Sequence, residues 1–156
     1  MFAPQGPEPK FIQVHPNILT RGHTRKFNTE RMLNALQDRK VALVLNVSPR
    51  ADIPLGAGCR TIGIEYKHAP LPDGKKIDHS LVTRLIYKVI HEVQNGLNVV
   101  VHCNAGRNRT FLVVVPAIAT LTGRPTSVVL PEIAAIRPRL LANPVFEDFV
   151  VNWEVK

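Results

Sequence analysis

The chain is poor in cysteine, in aromatic residues and in long apolar runs, and each shortage removes a class of protein. Two cysteines in 156 residues, Cys59 and Cys103, supply neither a disulfide framework nor a cysteine-rich metal cluster. A reducing compartment with free thiols is the consistent setting. Aromatics are 6% of residues, and no run of lysine and arginine exceeds two. A dedicated nucleic-acid binder would interleave basic and aromatic groups more densely. No segment reaches membrane-spanning length, and MFAPQGPEPK at the start has neither the apolar core nor the charge pattern of a signal peptide. The expected location is cytoplasmic.

What is present is a globular composition, 45% hydrophobic and 21% charged, with enough residues for one domain around one core. The expected organisation is a Pro-rich extension over residues 1–10 and a single domain over 11–156, with no repeat or linker. Twenty Lys plus Arg against twelve Asp plus Glu give a formal charge of +8. That balance favours anionic partners, among them phosphorylated proteins, nucleic acid, inositol phosphates or an acidic membrane surface; plain solubility is the competing explanation.

Periodicity predicts the elements. FIQV and ILTRG read as short strands, and NTERMLNALQDR as a helix capped by Asn28 or Thr29, with Met32, Leu33 and Leu36 on one face. VALVLNV (41–47) is a continuous apolar strand and TIGIEY (61–66) an alternating one. IDHSLVTRLIYKVIHEVQNG puts Leu81, Val82, Leu85, Ile86, Val89, Ile90 and Val93 on one helical stripe that ends at Gly96. LNVVV (97–101) follows as a buried strand, and FLVVVPAIATL has helix length before Gly123, with Pro116 expected to kink it. Strands alternating with helices predict an α/β fold, one mainly parallel central sheet flanked by helices. Such sheets bind ligands outside the carboxyl ends of their strands. The loops after residues 47, 66 and 102 therefore share one edge, carrying Ser48 and Arg50, then Lys67, His68, Asp73, Lys75 and Lys76, towards Cys103.

Residues 102–110 read HCNAGRNRT, and each position has a chemical task. Cys103 is the candidate nucleophile, active as a thiolate, and the backbone N–H groups of a loop that opens a helix favour negative charge there. The same amides, from Asn104, Ala105, Gly106, Arg107, Asn108 and Arg109, form a cradle for phosphate oxygens. Gly106 lets that turn curl. Arg109 offers a planar fork of donors for two phosphate oxygens at once. Thr110 can donate its hydroxyl to the sulfur. By average residue usage, the fixed residues of this pattern coincide by chance in a chain of this length only about a few times in 100,000.

The segment resembles the signature loop of the cysteine-based protein tyrosine phosphatases, and the chain is identified as a member of that superfamily, on its small dual-specificity branch. The likeness runs from about Ile18 to Trp153 and is specific at the signature loop. AAIRPRLLANPVFEDFVVNWE is similar to the family's closing stretch, where Asn143 and Pro144 also read as N-cap and first helical residue. The resemblance implies a dual-specificity-phosphatase-like fold and a metal-independent, cofactor-free reaction. In it Cys103 forms a phosphocysteine, Arg109 binds the phosphoryl group, and His102 shapes the loop.

A leaving alkoxide or phenoxide needs a proton. Asp73, in APLPDG, lies in the loop expected at the same sheet edge and at a spacing close to that of the dual-specificity branch; it is the preferred general acid. Asp78 is the rival, although it stands where a helix N-cap is expected. Arg50, His68, Lys75 and Arg107 are candidate substrate contacts, each with an ordinary surface charge or solvated loop residue as the alternative. Cys59 is read as a core cysteine in preference to a resolving thiol.

The substrate is less constrained. The preferred reading is a dual-specificity protein phosphatase acting on phosphotyrosine and phosphoserine or phosphothreonine. RGHTRK (21–26) places basic groups before Phe27 and argues against strict phosphotyrosine specificity. Arg107 resembles the extra cation of lipid and inositol phosphate phosphatases, and Asn108-Arg109-Thr110 resembles RNA 5′-triphosphatases. RNA and inositol phosphates thus stand as alternative substrates, and a non-catalytic phosphate-binding module as an alternative class.

Overall fold

A computed structural model describes residues 9–21, 27–103 and 108–155. The chain begins with an antiparallel pair, β1 (Phe11–His15) and β2 (Ile18–Arg21), and continues into α1 (Thr29–Asp38) and β3 (Val41–Asn46). It then runs through α2 (Ile53–Thr61), β4 (Glu65–His68), α3 (His79–Gln94) and β5 (Asn98–His102), and closes with α4 (Arg109–Thr122), α5 (Thr126–Ile136) and α6 (Pro144–Val151). The sheet order is β1-β2-β5-β3-β4, with every pairing after the first parallel. This is the expected α/β architecture. The proposed extension over 1–10 falls outside the described residues except for Pro9 and Lys10.

Two cores form because alternate strand residues face opposite sides of the sheet. Ile18, Leu43, Leu45, Val99 and Val101 face a large core built with α3, α4, α5 and α6. Val44, Val100 and the half-buried Leu19 and Tyr66 face a smaller one under α1 and α2. The α3 stripe is as predicted: Val82, Leu85, Ile86, Val89, Ile90 and Val93 are all buried. Asn28 is the cap of α1, accepting from the Arg31 amide. Helix α4 differs in kind, because every residue from Arg109 to Ala119 is buried. It is enclosed on all sides, which is why its sequence is a continuous apolar run. Phe111 is among the largest wholly buried side chains, and the helix continues through Pro116.

One expected element needs correction, and two helices carry little signal in the sequence. The strand predicted at 61–66 is displaced: Thr61 ends α2, Gly63 turns the chain at φ 84°, and β4 starts only at Glu65. Helix α2 itself is absent from the periodicity reading because its glycines and weak apolar stripe carry little helical signal. Its start is nonetheless marked by Asp52, whose carboxylate accepts from the Leu55 amide, followed by Pro54 in the first turn. Gly58 has a packing reason, since a Cβ there would lie 2.5 Å from Leu33 Cδ1. Helix α5 was likewise unforeseen, as it contains Pro131. No helix among the described residues is long and apolar enough to cross a membrane.

Candidate active site

Cys103 leaves the carboxyl end of the central strand β5 and is nearly enclosed, with 6% exposure. It shares the parity of Val99 and Val101, so its sulfur lies towards α4. Thr110, in the first turn of that helix and wholly buried, donates its hydroxyl to Cys103 Sγ at 3.0 Å. Arg109 starts the helix, is 8% exposed, and its Nε has no hydrogen-bond partner among the described residues. A buried guanidinium with an unmet donor is costly unless an anion completes it. The loop residues Asn104, Ala105, Gly106 and Arg107 lie outside the described residues.

Asp73 is held by two asparagines from distant parts of the chain. Asn108 Nδ2 donates to Asp73 Oδ2 at 3.1 Å, and Asn143 Nδ2 donates to Asp73 Oδ1 at 2.9 Å and to the Gly74 carbonyl at 3.0 Å. The Asn143 amide in turn donates to Asn108 Oδ1 at 3.1 Å. This closed ring ties the Asp73 loop to the residue preceding α4 and to the cap of α6. Asp78 is engaged elsewhere: its carboxylate accepts from the Leu81 amide and caps α3.

On the α1 and α2 side, four polar residues form a row across the carboxyl edge. Asn46 is in register with His102 on one side and His68 on the other, and Arg21 stands one place past the Thr20–Val101 pair. The row is cross-linked in part. Asn46 donates to the Tyr66 hydroxyl at 2.8 Å and to the Arg50 carbonyl at 2.9 Å, while its own oxygen accepts from the Ser48 amide and hydroxyl. His68 Nε2 is 2.8 Å from the Ser48 carbonyl. His68 therefore braces the loop after β3. Lys75 is exposed.

A cavity of about 570 Å³ opens over this row, lined by Arg21, Phe27, Arg50, Asp52, His102 and Cys103 among others. The Arg21 guanidinium stacks over the Phe27 ring at 5.3 Å, and its Nε has no hydrogen-bond partner. Burial pulls Arg21 below its ordinary value, with the Asp52 charge pulling it back; a guanidinium stays protonated throughout. Arg21 was noticed in the sequence only as part of a basic stretch, and its place at the end of a parallel-paired strand was the available signal.

Burial, followed by the Arg21 charge, pushes the His102 imidazole down to about 3, against a backbone hydrogen bond with Cys103 that acts the other way. His102 is thus neutral at physiological pH. The unfolded chain binds this proton near pH 6.5 and the folded one only near 3. The stabilisation is complete above the upper value and is lost progressively as pH falls towards the lower. Melting curves of the wild type and of His102→Gln over that window are expected to diverge, with the wild type losing more Tm on acidification. Parallel curves would assign the acid sensitivity to other groups.

Cys59, on the buried face of α2, is fully enclosed, and burial pushes its thiol up to about 11. It is a core residue in a protonated state. The described residues contain no group of three or more His, Cys, Asp or Glu placed to hold a metal ion.

With this geometry in view, the fold can be placed among known structures. No protein-family model matches the chain, and no curated protein sequence does. Solved structures match closely in shape. The active form of Tk-PTP superposes with a TM-score of 0.73 at 17% identity, covering 90% of this chain and 93% of that one. Human DUSP28, as its Y102H variant, gives 0.72 at 19% identity, covering 94% of both. A mouse putative dual specificity phosphatase complexed with zinc tungstate gives 0.70 at 20%, covering 99% of this chain and 91% of that one. The chain has the fold of the protein tyrosine phosphatases and small dual-specificity phosphatases.

Proposed function

We propose that the protein is a cysteine-dependent phosphatase that hydrolyses phosphate monoesters through a phosphocysteine. The observation that carries this reading is the buried Thr110 to Cys103 hydrogen bond at the start of α4, beside a buried Arg109 with an unmet donor. In the first step Cys103 Sγ attacks phosphorus in line, the bond to the leaving oxygen breaks, and Asp73 gives that oxygen a proton. Arg109 and the loop amides of residues 104–109 bind the equatorial oxygens as charge develops on them. In the second step water attacks phosphorus, Asp73 takes its proton, and the P–S bond breaks. Thr110 receives the departing thiolate with its hydroxyl.

The names of the structural neighbours support phosphotyrosine and phosphoserine or phosphothreonine in proteins as substrates. Tungstate, reported with the mouse phosphatase, is an oxyanion with the charge and shape of phosphate. A second reading, compact phosphate esters of the inositol phosphate kind, is favoured by the cationic cavity beside Cys103. Purified protein is expected to hydrolyse an aryl phosphate, to be inhibited by vanadate, and to carry one phosphate on Cys103 when rapidly acid-quenched and analysed by peptide mass spectrometry. Turnover without a cysteine-bound phosphate would overturn the mechanism. A panel of phosphopeptides, 5′-triphosphate RNA and inositol phosphates ranks the substrates.

A further inference from the structure

We propose that Arg21, assisted by Arg50 at the rim, forms a second anion subsite beside Cys103, and that the substrate is a small molecule carrying a second phosphate close to the scissile one. The inference rests on the phosphatase reading and deepens its second substrate class.

Arg21 ends β2, next to β5, so parallel pairing puts it beside His102 and one residue from the nucleophile's own place in the sheet. Its parity is that of Leu19, which faces α1 and α2. It thus lies on the side where the cavity opens. Among the described residues its charge is only partly used: it has a ring contact with Phe27, an unpartnered Nε and the Asp52 charge nearby, with no ion pair.

The surrounding charges leave the cavity positive. Arg21 and Arg50 contribute two cations, and His102 contributes none because it is neutral. Asp52 is the one carboxylate among the lining residues, and one of its oxygens is spent capping α2. The first turns of α1 and α2 also border the space through Thr29 and through Ile53 to Leu55, adding partial positive charge.

Depth selects the occupant. Exposed cations at a rim suit a peptide laid across the surface, whereas a half-buried guanidinium whose Nε is shielded from solvent is reached by a group that enters the cavity with the scissile phosphate. The connector between the two phosphates must therefore be short. About 570 Å³ falls in the range for small-molecule sites, roughly 300 to 1,000 Å³. Phe27, Met32, Ile53 and Leu55 supply an apolar wall for a compact ring.

The test compares kcat/KM for p-nitrophenyl phosphate, a phosphotyrosine peptide, an inositol monophosphate and a vicinal inositol bisphosphate, in the wild type and in Arg21→Met, Arg21→Lys and Arg50→Ala. The wild type is expected to prefer the bisphosphate over the monophosphate by about tenfold or more, a ratio typical of one charge-assisted contact. Arg21→Met should collapse that ratio towards one, Arg21→Lys should retain part of it, and the exposed Arg50→Ala should reduce it by a smaller factor. Circular dichroism melts report whether the Arg21 variants fold. If Arg21→Met is unstable, Arg21→Lys and Arg50→Ala still decide, since an undiminished ratio in both overturns the subsite. A wild type with equal rates on both inositol esters, or a preference for the phosphopeptide, also overturns it. Failure of every substrate, p-nitrophenyl phosphate included, would instead remove the phosphatase reading on which the subsite depends.

Discussion

Cys103→Ser is expected to lower turnover of an aryl phosphate by about a thousandfold or more while leaving binding of vanadate or tungstate measurable. The effect is large because an alcohol at that position is a far poorer nucleophile than a thiolate, and the P–O bond it would form is harder to break than P–S. Binding survives because the anion is held by other groups: the buried Arg109 guanidinium and the amides of the signature loop. The side-chain volume changes little, and the Thr110 hydroxyl that donates to sulfur at 3.0 Å can donate to a serine oxygen. The fold should therefore persist. Steady-state kinetics with isothermal titration of the oxyanion checks both halves, and undiminished turnover by the serine variant would sink the phosphocysteine mechanism.

Asp73→Asn carries the second large expectation, a loss of about 10²- to 10⁴-fold on alkyl phosphates and a much smaller one on activated aryl phosphates. The difference arises because a good leaving group departs without a proton. The amide side chain fills the same space but keeps one acceptor oxygen for the two asparagine donors, so the dependence on leaving group, and not the size of the loss, reports the proton. Asp78→Asn serves as the control. Asparagine caps helices as well as aspartate does, so that variant should retain its rate and its Tm. If the order is reversed, the acid is Asp78. Asn143→Ala offers a third view, because it removes the bonds to Asp73 and Gly74 and the α6 cap together. It should cost roughly ten- to a hundredfold on alkyl phosphates through misplacement of the acid, and about 1 kcal/mol of stability through the lost cap.

Local chemistry made the candidate nucleophile legible, whereas its support depends on contacts between distant segments. HCNAGRNRT needs only its own residues to be recognised, and the strand before it and the helix after it are both strongly apolar. The α3 stripe is equally plain because its burial follows the helical period. Helix α2 escaped because Gly56 and Gly58 lower its propensity and because the close approach to Leu33 that justifies Gly58 is a tertiary fact. Asn143 read only as a helix cap. Its second task, holding Asp73 across 70 residues of sequence, is set by how α6 packs beside α4. Arg21 was visible as a basic residue but not as a half-buried one, since that burial depends on the α1 and α2 layer beside the sheet edge.

Helix α4, enclosed from Arg109 to Ala119, has a consequence for how the site is carried through thermal motion. Its amides can meet water only when the surrounding layers part, so they belong to the portion of the molecule that opens last. Arg109 and Thr110 are the first turn of that portion, and the Cys103 sulfur is tethered to it by a hydrogen bond. The Asp73 loop and the Arg50 rim, by contrast, belong to exposed segments whose local opening costs less. Under the proposed mechanism, motion that admits a substrate and releases phosphate can thus be confined to the Asp73 loop and the Arg50 rim while the Cys103 sulfur keeps its aim.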